Sequence, residues 1–390
     1  MKKTIPIWHI ALVIVLVPLV AVVGFLGMIF TSLAGGGKFY TPLVFVMSFG
    51  LVILLLLSLV KRIPRKWYLT GFAAFLFLGG ASVAVHELRQ AYRDSFEVMK
   101  AEVDLYAYQP FEPGTQAALL QEPSTLTISN PLPRLDGATA LYPLYAAFAQ
   151  AVYPSKTYPL DESEVLCSTT PMAYQRLLNG EADMIFAGPP SEEQLYEANR
   201  RGIELKLTPI GREAFVFFVQ ADNPVDNVAL EDLRDIYAGN ITNWQAVGGN
   251  RAKIRAFQRP ANSGSQTMLE KIMEGRPLMA PPQEDVAVGM GDIIDQTADY
   301  RNYPNALGYS FLFYATQMVD SGDIRLLKID GVAPSRETIA SGAYPLSMEW
   351  YAITAETDNP NVQPFIEWML SEQGQRIVEA TGYTPIGQTN

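Results

Sequence analysis

Apolar positions fall into two regimes along this chain. In residues 7–30, 43–60 and 67–85 they are nearly continuous, and each run is long enough to cross a bilayer as a helix. Beyond residue 86 they become periodic, and the period separates strands from helices. Residues 125–128 (TLTI) alternate as a strand does. After a proline-rich turn comes the small, polar stretch Asp136 to Ala140. Behind it Leu141, Leu144, Tyr145 and Phe148 recur at helical spacing, with Thr139 as the natural N-cap. Val165, Leu166 and Cys167 predict a short strand leading into Ser168, Thr169, Thr170 and Pro171. Proline preceded by threonine predicts a helix capped by Thr170, and Asn179 with Gly180 predicts its end. Residues 182–187 (ADMIFA) and 214–219 (AFVFFV) read as buried strands, and residues 230–237 as a helix ended by Gly239. A strand begins at Ala306, and residues 364–380 read as one late amphipathic helix.

The most informative stretch is residues 258–273, QRPANSGSQTMLEKIM. Met268, Leu269, Ile272 and Met273 recur at helical spacing, and Ser263 with Gln266 three residues later has the capping-box pattern. A helix start presents unpartnered N–H groups and the positive end of the helix dipole. Gly264 permits close approach of a ligand, the hydroxyls of Ser263 and Ser265 add donors, and Arg259 offers a guanidinium fork. That is an anion socket. The strand, polar turn and capped helix recur at Thr139 and Thr170, which suggests three helix starts converging on one anion. A single such turn is routine in α/β proteins.

Charge divides the chain at the same place as the hydrophobic pattern. Seven of its 29 Lys and Arg, and none of its 40 Asp and Glu, precede Glu87, so the remainder is strongly acidic. An acidic surface argues against nucleic acid as a partner, while a local donor cluster still suits a small anion. The lone cysteine, Cys167, ends an apolar run and reads as a small buried hydrophobe, so no disulfide and no cysteine metal cluster is expected. Both histidines, His9 and His86, lie in or beside the apolar runs. The periodic part therefore offers no histidine for a catalytic triad or a zinc site, and no cofactor motif is found.

Lys2, Lys3 and the basic stretch 61–66 (KRIPRK) flank the runs, whereas the loop between the first two carries only Lys38. By the positive-inside rule the N-terminus and residues 61–66 are cytoplasmic, and everything after His86 is outside. The alternative of a cleaved signal peptide for the first run, which is long for a signal core, leaves the remainder outside as well. No cysteine follows that run to carry a lipid. Residues 87–104 read as a charged helical extension, and 108–114 as a linker or a strap laid on the domain. The globular part then begins near Ser124.

The segments DNPVDNVALEDLRDIYAGNITNWQAVGG, RPANSGSQ, ALGYSFLFY, AYPLSMEWY and FIEWMLSEQGQRIVEATGYTPIG resemble, in this order, segments of the substrate-binding proteins of phosphate ABC transporters. The resemblance covers roughly residue 124 to the end. It implies an α/β, two-lobed type II periplasmic-binding-protein fold, here preceded by three transmembrane helices. Residues 1–86 would be the membrane region and 87–123 the extension and linker. Lobe 1 would hold 124–208, lobe 2 209–344 and the return into lobe 1 345–390, with crossings near Thr208 and Tyr344. Ligand contacts carried over by the resemblance are Thr139 and Ala140, Thr170 with Thr169 as the register alternative, and Arg259, Ser263, Gly264 and Ser265. Family members are usually secreted or lipid-anchored, whereas this chain has three apolar runs. The family's aspartate after the ADMIFA-like strand is also missing, since Gly188, Pro189 and Pro190 follow instead. Without that acceptor phosphate and sulfate should be separated less sharply, and Asp136, beside the Thr139 loop, is the candidate replacement.

Two functions follow. The first is a membrane-anchored extracytoplasmic receptor that binds phosphate or a related oxyanion between lobes and delivers it to an ABC permease. The alternative is an oxyanion sensor or regulatory subunit signalling through its spans to a membrane partner, against which stands the lack of a cytoplasmic output domain. Catalysis is not expected.

Overall fold

The computed structural model describes residues 6–33, 39–60, 64–94, 104–281, 303–318 and 324–387. The chain divides into two compact units, Met1–Ser95 and Phe96–Asn390.

In the first unit each apolar run forms a helix, α1 (Ile7–Leu33), α2 (Tyr40–Leu57) and α3 (Arg65–Asp94). All three are long and apolar enough to cross a membrane. Most of their large apolar side chains are exposed, the pattern expected where lipid rather than protein surrounds a helix. Gly24 of α1 lies against Ser48 of α2, and the Thr31 and Thr41 hydroxyls hydrogen-bond at 3.0 Å. Phe39 stacks on the His86 ring with centroids 3.8 Å apart. The basic residues behind the sidedness expectation, Lys2, Lys3, Lys38, Lys61 and Arg62, lie outside the described residues. The expected helical extension after Glu87 continues to Asp94, and residues 95–103 are also outside them.

In the second unit the elements run β1 (Leu135–Gly137), α4 (Tyr142–Val152), α5 (Thr170–Leu178), β2 (Met184–Ala187), α6 (Glu192–Arg200), β3 (Lys206–Gln220), β4 (Asn227–Val228) and α7 (Leu230–Ala238). They continue with β5 (Arg255–Ala256), α8 (Gly264–Ile272), β6 (Ala306–Phe311), β7 (Ile324–Leu326), β8 (Lys328–Ile329), α9 (Arg336–Ala340), β9 (Ser347–Thr354), α10 (Val362–Leu370) and α11 (Glu372–Thr381). The main sheet has the order β1-β2-β9-β3-β6-β5, with β7 also pairing with β3. The first part of β3, Lys206 to Ala214, pairs antiparallel with β9 across a bulge at Pro209 and Gly211. From Phe215 onward β3 turns to β6 and β7. One fifteen-residue strand thus carries the sheet from one group of helices to another. The 214–219 run predicts only its second half, because the first half is polar and partly exposed.

The core is aromatic-rich. Tyr145 stacks on Phe186 at 4.8 Å between centroids, and Phe311 meets Trp350 edge-on at 4.5 Å where β3 changes partners. At the same junction Glu213 is buried, accepting the Ala214 N–H at 2.8 Å and the Phe313 N–H at 3.2 Å. Burial pushes its carboxyl up to about 7, against those two hydrogen bonds and the Arg336 charge.

Three expectations are corrected here. Residues 125–128 form no strand, although Ile128 donates its N–H to the Val152 carbonyl, so alternation reflects one buried face without a ladder partner. Globular packing also begins before Ser124. Leu105 and Ala117 join the core, Phe111 donates its N–H to Gln150 at 2.8 Å, and its ring tilts over Tyr158. The late helix is two helices, α10 and α11. They are divided at Ser371, whose extended backbone ends the first and whose side chain caps the second.

Candidate functional site

Leu135 to Gly137 is itself a strand, pairing parallel with β2, because its three residues are buried between sheet and helices. The chain then makes a 3-10 turn, Thr139–Leu141, before α4. Thr139 caps neither element: Ala138 precedes the turn, Leu141 precedes α4, and neither position makes a side-chain cap bond. Burial raises the nearby Cys167 thiol, while Tyr145, Thr139 and the Thr169 backbone act to lower it. The Ala140 carbonyl accepts the Tyr383 hydroxyl.

The second expected start is displaced by one residue. Thr170 begins α5, and Thr169 is the residue before it, with φ +82° and ψ 158° and no side-chain cap bond. An L residue there is strained by roughly 1–3 kcal/mol and persists only where its surroundings hold it. Val165, expected in a strand, makes only an isolated bridge to Leu135. Ser168 is gripped by Asp136, which accepts its N–H at 2.8 Å and its hydroxyl at 2.6 Å.

At the third start Ser263 caps α8 as expected, accepting the Gln266 N–H at 3.3 Å. The capping box does not close. Gln266 Oε1 accepts the Arg259 N–H at 2.9 Å and the Tyr309 hydroxyl at 2.5 Å, so the glutamine anchors the arginine's backbone. Arg259 is half-buried, and its Nε is buried without a hydrogen-bond partner among the described residues. Ser265 is half-buried in the first turn of α8.

Two of the three starts touch. A β-carbon added at Gly264 would lie 3.2 Å from the Thr170 hydroxyl oxygen, so the first turns of α5 and α8 meet directly. Around them Ser191 hydrogen-bonds Asn262 at 2.9 Å, and Asn262 donates to Glu193 at 2.6 Å, joining α6 to the turn before α8. Tyr314 lies in a π-helical turn after β6. Burial pushes its hydroxyl up, the Arg259 charge pulls it down and Cys167 pushes it up further. The anchoring role of Gln266 was not legible in the sequence, since it depends on which strands pair.

Donors dominate what surrounds this place. Burial pushes the Cys167 thiol up to about 12, so the sulfur is a neutral packing atom at neutral pH. Gly188 ends the strand where the resemblance leads one to expect an aspartate. A β-carbon there would lie 3.3 Å from the Trp350 ring, which fills that space. Asp136 does not replace it as an acceptor turned into the cleft. It is fully buried and engaged by Gly137, Ser168 and Arg176, and burial raises its carboxyl against those partners. Among the described residues no cluster of His, Cys, Asp and Glu is suited to a metal ion.

Residues 129–373 match the family model described as the PBP superfamily domain. The phosphate-binding protein PstS of Borreliella burgdorferi is 30% identical over 188 residues, 46% of this chain and 66% of that relative. The chain thus spans slightly less than two thirds of that relative's length. The phosphate-binding protein PstS of Bacillus subtilis is 25% identical over 257 residues, 65% of this chain and 80% of the relative. Among solved structures, a putative phosphate ABC transporter substrate-binding protein from Clostridium perfringens aligns with a TM-score of 0.50 at 24% identity. That alignment covers 67% of this chain and 100% of the other, and it shows a shared fold.

Proposed function

We propose a function from the premise that this chain belongs to the PBP superfamily: it is an extracytoplasmic receptor for phosphate or a related oxyanion, serving an ABC uptake system. The observation that carries the reading is the meeting of the α5 and α8 first turns beside an arginine whose buried Nε has no acceptor among the described residues. Two helix dipoles and a guanidinium in one half-buried place favour an anion strongly over a cation. In this reading ligand oxygens accept from Arg259, from the hydroxyls of Thr139, Thr169 or Thr170, Ser263 and Ser265, and from N–H groups at Ala140 and Gly264. Selectivity comes from matching buried donors to ligand oxygens, and no bond is made or broken.

The lobes are assigned as 124–208 with 345–390, and 209–344. Strands β3 and β9, paired side by side, form the crossing about which they close. The three apolar helices tether the receptor to the membrane, with the second unit on the extracytoplasmic side, where a permease receives the ligand. Calorimetric titration of the full chain in detergent with phosphate, sulfate and a phosphonate tests the reading. Saturable, one-to-one phosphate binding is expected, and no heat with any of the three overturns it.

A further inference from the structure

We propose that Asp136 is a positioning residue for the oxyanion site, a buried carboxylate that cross-braces two of its anion-binding loops and is committed to protein donors rather than to the ligand. The inference rests on reading this place as an oxyanion site. Asp136 is the middle residue of β1 and has no exposed surface. Its Oδ1 accepts the Gly137 N–H at 2.7 Å and the Ser168 N–H at 2.8 Å. Its Oδ2 accepts the Ser168 hydroxyl at 2.6 Å and lies 3.1 Å from Arg176 Nε in an ion pair without a hydrogen bond. Three hydrogen bonds and an ion pair occupy this carboxylate, and with no exposed surface it presents no face to a ligand.

The partners explain what the brace does. Gly137 lies two residues before Thr139, and Ser168 immediately precedes Thr169. One side chain therefore fixes the separation of the Thr139 turn and the start of α5. Arg176 stands on α5 itself, so Asp136 holds that helix at its entry and again two turns along. Thr169, at φ +82°, needs such outside restraint, and a serine gripped by both its N–H and its hydroxyl supplies it next door. An unpaired carboxylate beside an anion site would repel the ligand. Arg176, which also pairs with Glu181 at 3.2 Å, neutralises this one from behind.

The test compares the wild-type chain in detergent with Asp136→Asn, Ser168→Ala and Glu181→Gln, titrated calorimetrically with phosphate and with sulfate well below the unfolding temperature. Asp136→Asn turns an acceptor into a donor facing Ser168 and Arg176. Phosphate affinity should fall about tenfold or more, with any sulfate affinity falling in parallel. Ser168→Ala keeps the carboxylate and removes one strut, so both anions should weaken together by about threefold to tenfold. Glu181→Gln should bind as the wild type does. If Asp136 instead accepted a ligand proton, Asp136→Asn would weaken phosphate while strengthening sulfate, and that result overturns the proposal. Wild-type affinity in Ser168→Ala overturns it too, and that variant decides alone where Asp136→Asn does not fold. Absence of binding by the wild-type chain overturns the receptor reading, and the brace with it. Unaltered variants overturn only the brace.

Discussion

Arg259 is held at its backbone by Gln266 and Tyr309 while its Nε lies buried without an acceptor among the described residues. A buried cationic donor held this way suits an anionic acceptor. Arg259→Ala should therefore weaken phosphate binding by about 2–5 kcal/mol, measured by calorimetry, with the circular dichroism spectrum unchanged. Ser263 does two jobs, so Ser263→Ala should lower binding by about 1–3 kcal/mol and also lower stability by about 1 kcal/mol through the lost cap. Glu213 gives a pH signature. Its unfolded carboxyl titrates near 4.5 and its folded one near 7. The folded state favours the protonated form, so its contribution is fully present below about 4.5 and is lost as pH rises through about 7. Thermal unfolding between pH 5 and 8 should show the wild type losing stability on the order of 3 kcal/mol relative to Glu213→Gln. Parallel curves for the two proteins would contradict this assignment.

At the scale of elements, the site is a meeting of helix starts, and each start is made differently. Only α8 is capped by the expected residue. The Thr139 turn tightens into a 3-10 turn ahead of α4, and α5 is entered through a strained threonine. In both cases the hydroxyl that local patterning assigns to capping is left for other partners. Gly264→Ala separates helix stability from site geometry. Alanine favours the helix by up to about 1 kcal/mol, yet its β-carbon would press on the Thr170 hydroxyl at 3.2 Å. The variant should therefore unfold no more easily than the wild type while binding phosphate about tenfold more weakly. Equal affinity would mean that the α5 and α8 starts do not shape one site.

For the whole molecule, the three apolar helices and the periodic unit pose different folding problems, the first long and apolar enough to cross a membrane and the second built around an aromatic core. Sidedness is testable with Pro64→Cys, in the basic loop, and Pro113→Cys, exposed on the strap. A membrane-impermeant maleimide should label Pro64→Cys only after the inner membrane is breached. Pro113→Cys should react once any outer membrane is permeable. The native Cys167, with its thiol pushed up to about 12, should give little background. Inverse labelling would place the binding unit in the cytoplasm and remove the receptor reading.

What the amino-acid sequence determined by itself is what depends on neighbours a few residues apart. The continuous apolar runs specified three long helices, because a bilayer demands little beyond length and hydrophobicity. The Ser263 cap, the αL glycine ending α7 and the buried strand before Gly188 were legible for the same reason, each being a local preference of the backbone. Tertiary structure decided what depends on distant partners. Residues 125–128 alternate like a strand but have no edge to join, whereas the short, charged Leu135 to Gly137 becomes one because β2 lies beside it. Gln266 has a capping-box position, but Arg259 and Tyr309 offer its side chain better-buried donors. Asp136, which reads as turn material or a ligand acceptor, becomes a brace because Ser168 and Arg176, 32 and 40 positions away in sequence, arrive at its two oxygens. A buried carboxylate takes whichever donors the fold brings to it, and no local pattern records which those will be.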